Sequence, residues 1–249
     1  MVKLVTGKIL AMKQPAQNTK IDPTARFAIP VPIGISTGNI GECSAGTIGA
    51  RVKDSSGAVY ALSNNHVYAL ENQASTGSNV LQPGRYDTGC DAYGSTVIGT
   101  LFDFKPIVFS TSASNEIDAA IALSDSTKLG NATPSNGYGK PSSVTVGATL
   151  GVAVQKYGRT TSLTKGTITG INVAINVGYT AGTASFVNQI LVTSRKAFIK
   201  AGDSGSLLVT DPSRNPVGLL FAGDSSGRYA FANPIGPVLQ HFGVSIDGE

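Results

Sequence analysis

The stretch TIGARVKDSSGAVYALSNNHV (residues 47–67) contains two short apolar segments on either side of the polar sequence DSSG (residues 54–57). Apolar segments of this length that flank a glycine-containing turn are typical of a β-hairpin. A histidine, His66, follows the second segment at the point where polar residues begin. The stretch therefore predicts a hairpin that carries a titratable side chain at the end of a strand.

Similar short apolar segments recur along the chain, each bounded by Gly, Asn, Asp, Ser or Pro. Only PIGPVLQHFGV (residues 234–244) has apolar residues at helical spacing. The 249 residues include 30 glycines, 12 prolines and 14% charged residues, which favours many turns and few surface helices. Short strands separated by turns form barrels or sandwiches, so we expect an all-β fold.

The stretch NATPSNGYGKPSS (residues 131–143) is rich in Pro, Gly, Ser and Asn and divides the strands into two comparable sets. We therefore expect an extension over residues 1–28, with one strand at residues 4–11, and a domain over residues 29–249. Within the domain, the boundaries are a first set of strands at about 29–130, a linker at about 131–143, a second set at about 144–233 and a helix at about 234–243.

The first residues, MVKLVTGKILAMKQ, form a poor signal-peptide core, because Thr6, Gly7 and Lys8 interrupt the apolar run. We therefore expect a cytoplasmic location if Met1 is the native start, and a secreted one otherwise. Two cysteines, Cys43 and Cys90, are too few for a disulfide scaffold. They form either one bridge in a secreted protein or two thiols in a reducing compartment.

The formal net charge of +4 is small for this length, and no run of basic residues lines a predicted helix. Nucleic acid is therefore not an expected partner. No segment approaches the roughly 20 apolar residues of a membrane-spanning helix, so we expect no membrane association. Neither a metal nor an organic cofactor is expected from the sequence.

Three segments carry residues suited to nucleophilic hydrolysis. Such chemistry needs a base with a pKa near neutrality, and His66 is the candidate, because His241 lies in the predicted terminal helix and is assigned a structural role. The segment KAGDSGSLLV (residues 200–209) places Ser204 between glycines that permit a tight turn with convergent N–H groups. The similar string GDSS (residues 223–226) shows that this pattern also occurs in ordinary turns.

The third segment is SASNEIDAAIAL (residues 112–123), in which Asp118 begins an otherwise apolar strand. A buried carboxylate is costly unless it is paired, and beside a histidine it would fix the ring tautomer. The order of His66, Asp118 and Ser204 along the chain is that of the chymotrypsin arrangement. The α/β-hydrolase and subtilisin orders differ, and their folds require alternating helices that this sequence lacks.

Taken together, these segments resemble the bacterial trypsin-like serine peptidases, particularly the streptogrisin and α-lytic type, over roughly residues 43–246. The resemblance implies two six-stranded antiparallel β-barrels and a short C-terminal helix, with the active site between the barrels. It implies His66 as general base, Asp118 as its orienting carboxylate and Ser204 as nucleophile. The N–H groups of Gly202 and Ser204 would form the oxyanion hole. The implied activity is that of a serine endopeptidase acting on polypeptides through an acyl-enzyme.

The resemblance also implies a substrate pocket. Its base falls near Phe198, six residues before Ser204, Phe221 falls on its wall, and Gly223 leaves its mouth open. Enzymes that cleave after Lys or Arg carry an acid at the base, whereas residues 198–202 contain none. An apolar residue before the cleaved bond is therefore expected.

Several positions depart from the family pattern. Val67 replaces the cysteine that usually follows the histidine, so Cys43 is either free or paired with Cys90. Phe221 replaces a serine that donates to the triad aspartate, and the side chains of Asn64 or Asn65 are candidate substitutes. An internal group, rather than a chain terminus, is expected to pair with Asp203.

Two alternatives remain open on the sequence alone. Phe221 and the altered surroundings of His66 are compatible with a barrel-shaped binding module or an inactive pseudo-peptidase that captures peptides. The second alternative is an esterase built on the same barrels. Labelling by a fluorophosphonate probe separates an activated serine from a binding module.

Overall fold

The computed structural model describes residues 21–249, so the strand predicted at residues 4–11 lies outside the described part. The strands are β1 Ser36–Asn39, β2 Gly46–Thr47, β3 Ala50–Asp54, β4 Val59–Ser63, β5 Asn79–Gln82, β6 Thr96–Phe104, β7 Ala120–Ser124, β8 Ala153–Gly158, β9 Ser162–Tyr179, β10 Gly182–Thr193, β11 Leu207–Thr210, β12 Pro216–Gly223, β13 Tyr229–Pro234 and β14 Val244–Ile246. The α-helices are α1 Asn65–Tyr68 and α2 Ile235–Phe242. Among the described residues, no helix is both long and apolar enough to cross a membrane.

The hairpin predicted around residues 54–57 is present as β3 and β4, which pair antiparallel. The Asp54 carboxylate organises the turn by accepting hydrogen bonds from the N–H groups of Ser56 and Ala58, at 2.9 and 3.0 Å. Gly57 has a φ of +88°, a conformation that favours glycine. This turn chemistry explains why the two apolar segments pair with each other.

The first sheet has the strand order β14-β3-β4-β7-β6-β5-β1-β2. Because β2 runs into β3 through only Ile48 and Gly49, the two ends of this order are covalently joined. The Gly49 N–H donates to the Leu62 C=O at 2.8 Å, which continues the β3–β4 pairing into the joint. Six strand positions therefore surround one core, with β14 added outside β3.

The second sheet is a closed barrel in the order β10-β13-β12-β11-β8-β9. Its interior is filled by buried aliphatic side chains, including Val154, Ile168, Val192, Leu208 and Leu220. Strand β10 largely alternates between buried and more accessible positions, whereas β8, β11 and β12 are buried along most of their length. The predicted fold class is confirmed: an all-β protein of two antiparallel barrels with a short C-terminal helix.

A single hydrophobic cluster holds the two barrels together. It contains Val52 and Leu62 from the first barrel, Leu207 and Leu219 from the second, and Val238 from α2. Each of these side chains is at most 1% exposed, so separating the barrels would expose a large apolar surface. The relative position of the barrels, and hence the geometry of the cleft between them, is fixed by this packing.

The hairpin formed by β9 and β10 is the longest element, with strands of 18 and 12 residues. Its outer part, which pairs Tyr179 with Gly182 and Ile175 with Phe186, extends past the barrel. The register shifts between Phe186 and Gln189, and such irregularities bend a strand pair. The tip of the hairpin reaches the cleft beside the first barrel.

Cys43 and Cys90 form a disulfide, with a Cα–Cα distance of 5.0 Å. The structure therefore selects the bridged alternative that composition left open. The bridge ties the loop after β1 to the segment that follows the short 3-10 helix Arg85–Thr88. Within that helix Asp87 forms an ion pair with Arg159 of the second barrel.

We expect the denatured, unreduced protein to titrate no free thiols. The bridge closes a loop spanning 47 residues, so its removal should lower the free energy of unfolding by about 2–4 kcal/mol. Urea unfolding of the double variant Cys43→Ser/Cys90→Ser, compared with the oxidised wild type, measures this loss. Two titratable thiols in the unreduced wild type would contradict the bridge.

Candidate active site

His66 lies in α1, immediately after strand β4. The side chain of Asn64 fixes the start of this helix by donating to the Asp118 C=O at 2.7 Å. The His66 ring Nδ1 lies 2.6 Å from Asp118 Oδ2, and the His66 backbone N–H donates to Asp118 Oδ1 at 3.2 Å. The first barrel alone therefore brings the predicted base and the predicted carboxylate together.

The Asp118 carboxylate is fully buried, whereas the His66 side chain is 21% exposed. Burial lowers the pKa of His66, but the adjacent Asp118 charge and hydrogen bond outweigh it, so the pKa is raised overall. With Nδ1–H directed at the carboxylate, Nε2 is the ring nitrogen left to accept a proton. This is the arrangement required of a general base.

Two further polar groups contact Asp118. Tyr179, at the end of β9, donates its hydroxyl to Asp118 Oδ2 at 2.9 Å. Asn233 accepts the Asp118 backbone N–H at 3.0 Å. The expectation that Asn64 or Asn65 would donate to the carboxylate is wrong, because Asn64 bonds the Asp118 C=O and Asn65 bonds other groups instead.

Ser204 lies in the loop before β11, directly after a turn that is closed by a hydrogen bond from the Asp203 N–H to the Lys200 C=O at 2.9 Å. Gly202 has a φ of +94° at the third position of this turn, as a type II turn requires. A Cβ on Gly202 would lie 2.6 Å from Thr160 Oγ1 and 2.7 Å from Arg159 Nη1. Both the backbone angle and the space therefore require glycine there.

The Asp203 carboxylate stabilises this turn through hydrogen bonds. It accepts the N–H groups of Thr160 and Lys200 at 2.8 and 2.9 Å. Lys156 Nζ lies 3.4 Å from Asp203, and both side chains are completely buried. Burial lowers the pKa of Lys156 to about 8, although the charge of Asp203 opposes the shift. Lys156 is thus the internal partner that was expected for Asp203.

Thr47 of β2 holds the loop that contains Ser204 against the first barrel. Its N–H donates to the Ser204 C=O and its hydroxyl to the Gly202 C=O, both at 2.8 Å. Within residues 21–249, the N–H groups of Gly202 and Ser204 donate no hydrogen bond. Two unpaired backbone donors in the loop that carries Ser204 are suited to binding an oxyanion.

Ser204 and His66 line the same cleft, which has a volume of about 1340 Å³. The Ser204 hydroxyl donates to the Phe221 C=O at 3.4 Å, and in the described part of the chain no hydrogen bond joins it to His66. Catalytic hydrogen bonds are often long or unmade in the absence of substrate. The cleft is therefore lined by His66 and Ser204, while Asp118 is buried behind the His66 ring and the Ser204 hydroxyl bonds the backbone rather than the imidazole.

Two of the three predicted pocket residues line the cleft, and the third does not. Phe221 and Gly223 line the cleft, as expected. Phe198 does not, because it is fully buried in the core of the second barrel. Its neighbour Ile199 lines the cleft instead. A Cβ on Gly223 would lie 2.4 Å from Ile199 Cγ2, so the two walls nearly touch at this point.

Three residues that contact the candidate site residues were not predicted from the sequence: Tyr179, Thr47 and Lys156. Only Lys156 left a signal, as a single lysine within the apolar segment TLGVAVQKYG (residues 149–158). Tyr179 and Thr47 reach the site through tertiary contacts. Among the described residues, no group of three or more His, Cys, Asp or Glu side chains is suitably placed for a metal ion.

No protein-family model matches the chain, and no curated protein sequence matches it. Solved structures do. A glutamic-acid-specific serine protease is similar with a TM-score of 0.61 and 22% identity, over 87% of this chain and 100% of that one. Protease A of Thermobifida fusca is similar with a TM-score of 0.62 and 22% identity, over 88% of this chain and 100% of that one. The Nocardiopsis protease is similar with a TM-score of 0.59 and 21% identity, over 87% of this chain and 99% of that one. The chain therefore has the double-barrel fold of the bacterial chymotrypsin-type serine proteases.

Proposed function

We propose that this protein is a serine endopeptidase with His66, Asp118 and Ser204 as its catalytic triad. The observation that carries the proposal is the 2.6 Å contact between His66 and the buried Asp118 in the cleft that Ser204 also lines. A buried carboxylate held against a partly exposed imidazole serves little structural purpose at the edge of an open cleft. The structural neighbours are serine proteases, which supports the same conclusion.

The proposed reaction begins when Ser204 Oγ attacks the carbonyl carbon of a peptide bond and His66 Nε2 takes the hydroxyl proton. The negative charge on the carbonyl oxygen is stabilised by the N–H groups of Gly202 and Ser204. Collapse of this intermediate breaks the C–N bond, and His66 returns the proton to the leaving amine. Water, deprotonated by His66, then hydrolyses the acyl-enzyme.

The cleft supports a preference for an apolar residue before the cleaved bond. Its wall includes Ile199, Phe221 and Gly223, and the closeness of Ile199 to Gly223 leaves little depth. The nearby Asp224 carboxylate is engaged by its own turn, through Ser226 and the Tyr229 N–H. In the described residues, His66 is the one histidine that lines the cleft, so no second imidazole is available to pair with a glutamate.

We expect cleavage after small or medium-sized apolar residues to exceed cleavage after Lys, Arg or Glu by at least about tenfold in kcat/KM, or ~1.4 kcal/mol. For a charged substrate side chain that finds no partner in the cleft, the free energy of desolvation would exceed this difference. Digestion of a peptide library, read by mass spectrometry, measures the preference. Dominant cleavage after Lys, Arg or Glu would refute it.

A peptide-binding module without catalysis is the second candidate, favoured by the hydrogen bond of Ser204 Oγ to the Phe221 C=O rather than to His66. A fluorophosphonate probe distinguishes the two functions. Covalent labelling that is lost in the Ser204→Ala variant supports the peptidase. Absence of labelling in a folded wild type that still binds peptides supports the binding module.

A further inference from the structure

We propose that Tyr179 is a positioning residue that orients the Asp118 carboxylate, and that Glu71 holds Tyr179 in place by binding the tip of the β9–β10 hairpin. This inference rests on the proposed function, because it assigns a further residue to the same site. Phe221 stands at the position where the resemblance drawn from the sequence implies a serine that donates to the aspartate. Its ring packs against Phe186, with ring centroids 4.9 Å apart, and offers no donor.

The phenol contact with Asp118 is well defined. Asp118 Oδ2 receives the Tyr179 hydroxyl at 2.9 Å and faces His66 Nδ1 at 2.6 Å, so the two donors share one carboxylate oxygen. The Tyr179 ring is confined by edge contacts with His66 and Phe109, at centroid distances of 5.8 and 5.7 Å. Burial and the charge of Asp118 raise the pKa of Tyr179 far above its usual value, so the phenol remains a donor.

The next residues of the hairpin bind a carboxylate of the first barrel. The N–H groups of Thr180 and Ala181 donate to Glu71 Oε1 and Oε2, at 3.0 and 2.6 Å. Glu71 therefore caps the hairpin tip directly beside Tyr179. Asp118, His66 and Glu71 belong to the first barrel, whereas Tyr179 belongs to the second, so the contact spans the cleft.

The backbone around Glu71 is unusual. Leu70, Glu71 and Asn72 have φ values of +50°, +55° and +74°, a run of three left-handed residues without glycine. Such strain persists only where surrounding contacts enforce it, and it concentrates at functional sites. Here the Asn72 side chain enforces it by bonding both the N–H and the C=O of Ile107, at 2.9 and 2.8 Å. The strained turn follows α1, so it fixes Glu71 relative to His66.

The chemical consequence concerns the charge on Asp118. A phenol that donates to Oδ2 withdraws charge from the carboxylate and fixes its plane, so the proton of the His66–Asp118 pair stays on Nδ1. Without the phenol, the pair should bind a proton more readily. The other charged groups that act on His66 are Glu71 and Glu42.

The test compares Tyr179→Phe with the matched control Tyr93→Phe, whose side chain is 95% exposed. We expect Tyr179→Phe to lower kcat by roughly 10- to 100-fold with KM within about twofold of wild type, in the range of a lost hydrogen bond to a charged group. The control should match the wild type. A kcat of Tyr179→Phe within twofold of the wild type would overturn the proposal.

The variant Glu71→Gln, alone and combined with Tyr179→Phe, tests the second part of the proposal, that Glu71 holds Tyr179 in place. If Glu71 acts through Tyr179, Glu71→Gln should lower kcat severalfold in the wild type and have little further effect in the Tyr179→Phe background. Additive losses would overturn the role of Glu71.

An NMR titration of His66 separates this inference from the proposed function. The pKa of the His66 ring should be higher in Tyr179→Phe than in the wild type and unchanged in Tyr93→Phe. That shift in a protein without hydrolytic activity would refute the peptidase while supporting the role of Tyr179. An unchanged pKa would overturn that role even in an active enzyme.

Discussion

The Ser204→Ala variant is expected to lose peptide hydrolysis almost completely, with kcat lower by a factor on the order of 10⁶. The reason is that Ser204, which lines the same cleft as His66, is the proposed nucleophile, and alanine has no hydroxyl to attack the peptide carbonyl. Hydrolysis remaining above the rate in water would come from substrate binding and the oxyanion site. Steady-state assays with a peptide selected from the library provide the measurement.

Ser225→Ala is the control, because Ser225 repeats the Gly-Asp-Ser pattern and also lines the cleft. It should retain hydrolysis within about an order of magnitude of wild type. If Ser204→Ala remained fully active, the proposed mechanism would be wrong. If both variants were inactive while the wild type was active, the GDSS turn would be part of the chemistry.

The second large effect is expected from Asp118→Asn, which should lower kcat by roughly 10⁴-fold. The amide would present an N–H or a neutral oxygen to His66 Nδ1, so the ring would no longer be held with its proton on that nitrogen. KM should change little, because Asp118 is fully buried and lies behind the imidazole.

The matched control is Asp103→Asn, which removes the same charge from an exposed position on β6. Thermal unfolding of both variants shows whether a loss of activity reflects a loss of structure. Normal turnover by a folded Asp118→Asn variant would exclude the carboxylate from the mechanism.

The parts of the site that sequence predicts best are those set by local chemistry. His66 follows a strand that is paired through the Asp54 turn, and Ser204 lies in a loop whose glycines permit its backbone angles. Asp118 lies two residues before the apolar strand β7, where a buried carboxylate requires a partner. Each feature is readable within about ten residues of sequence, and the chain order then links the three.

The parts that sequence does not predict depend on contacts between distant segments. Tyr179 lies 61 residues from Asp118, and nothing in its own strand distinguishes it from other half-buried aromatic residues. Phe198, the predicted base of the pocket, is buried in the core and its neighbour Ile199 lines the cleft, because the local backbone decides which of the two side chains faces it. Periodicity cannot resolve that choice where the segment is irregular, as residues 195–200 are.

The last strand, β14, pairs with β3 from Val244↔Asp54 to Ile246↔Val52. Ile246 is buried and Asp247 forms an ion pair with Arg51, so the edge of the first barrel is covered by residues nearly 200 positions later. During synthesis on a ribosome, these residues emerge after both barrels. The nascent chain therefore exposes an unpaired strand edge until translation has passed Ile246. A nascent chain that ends between the two barrels contains His66 and Asp118 but not Ser204, so under the proposed mechanism it would lack the nucleophile.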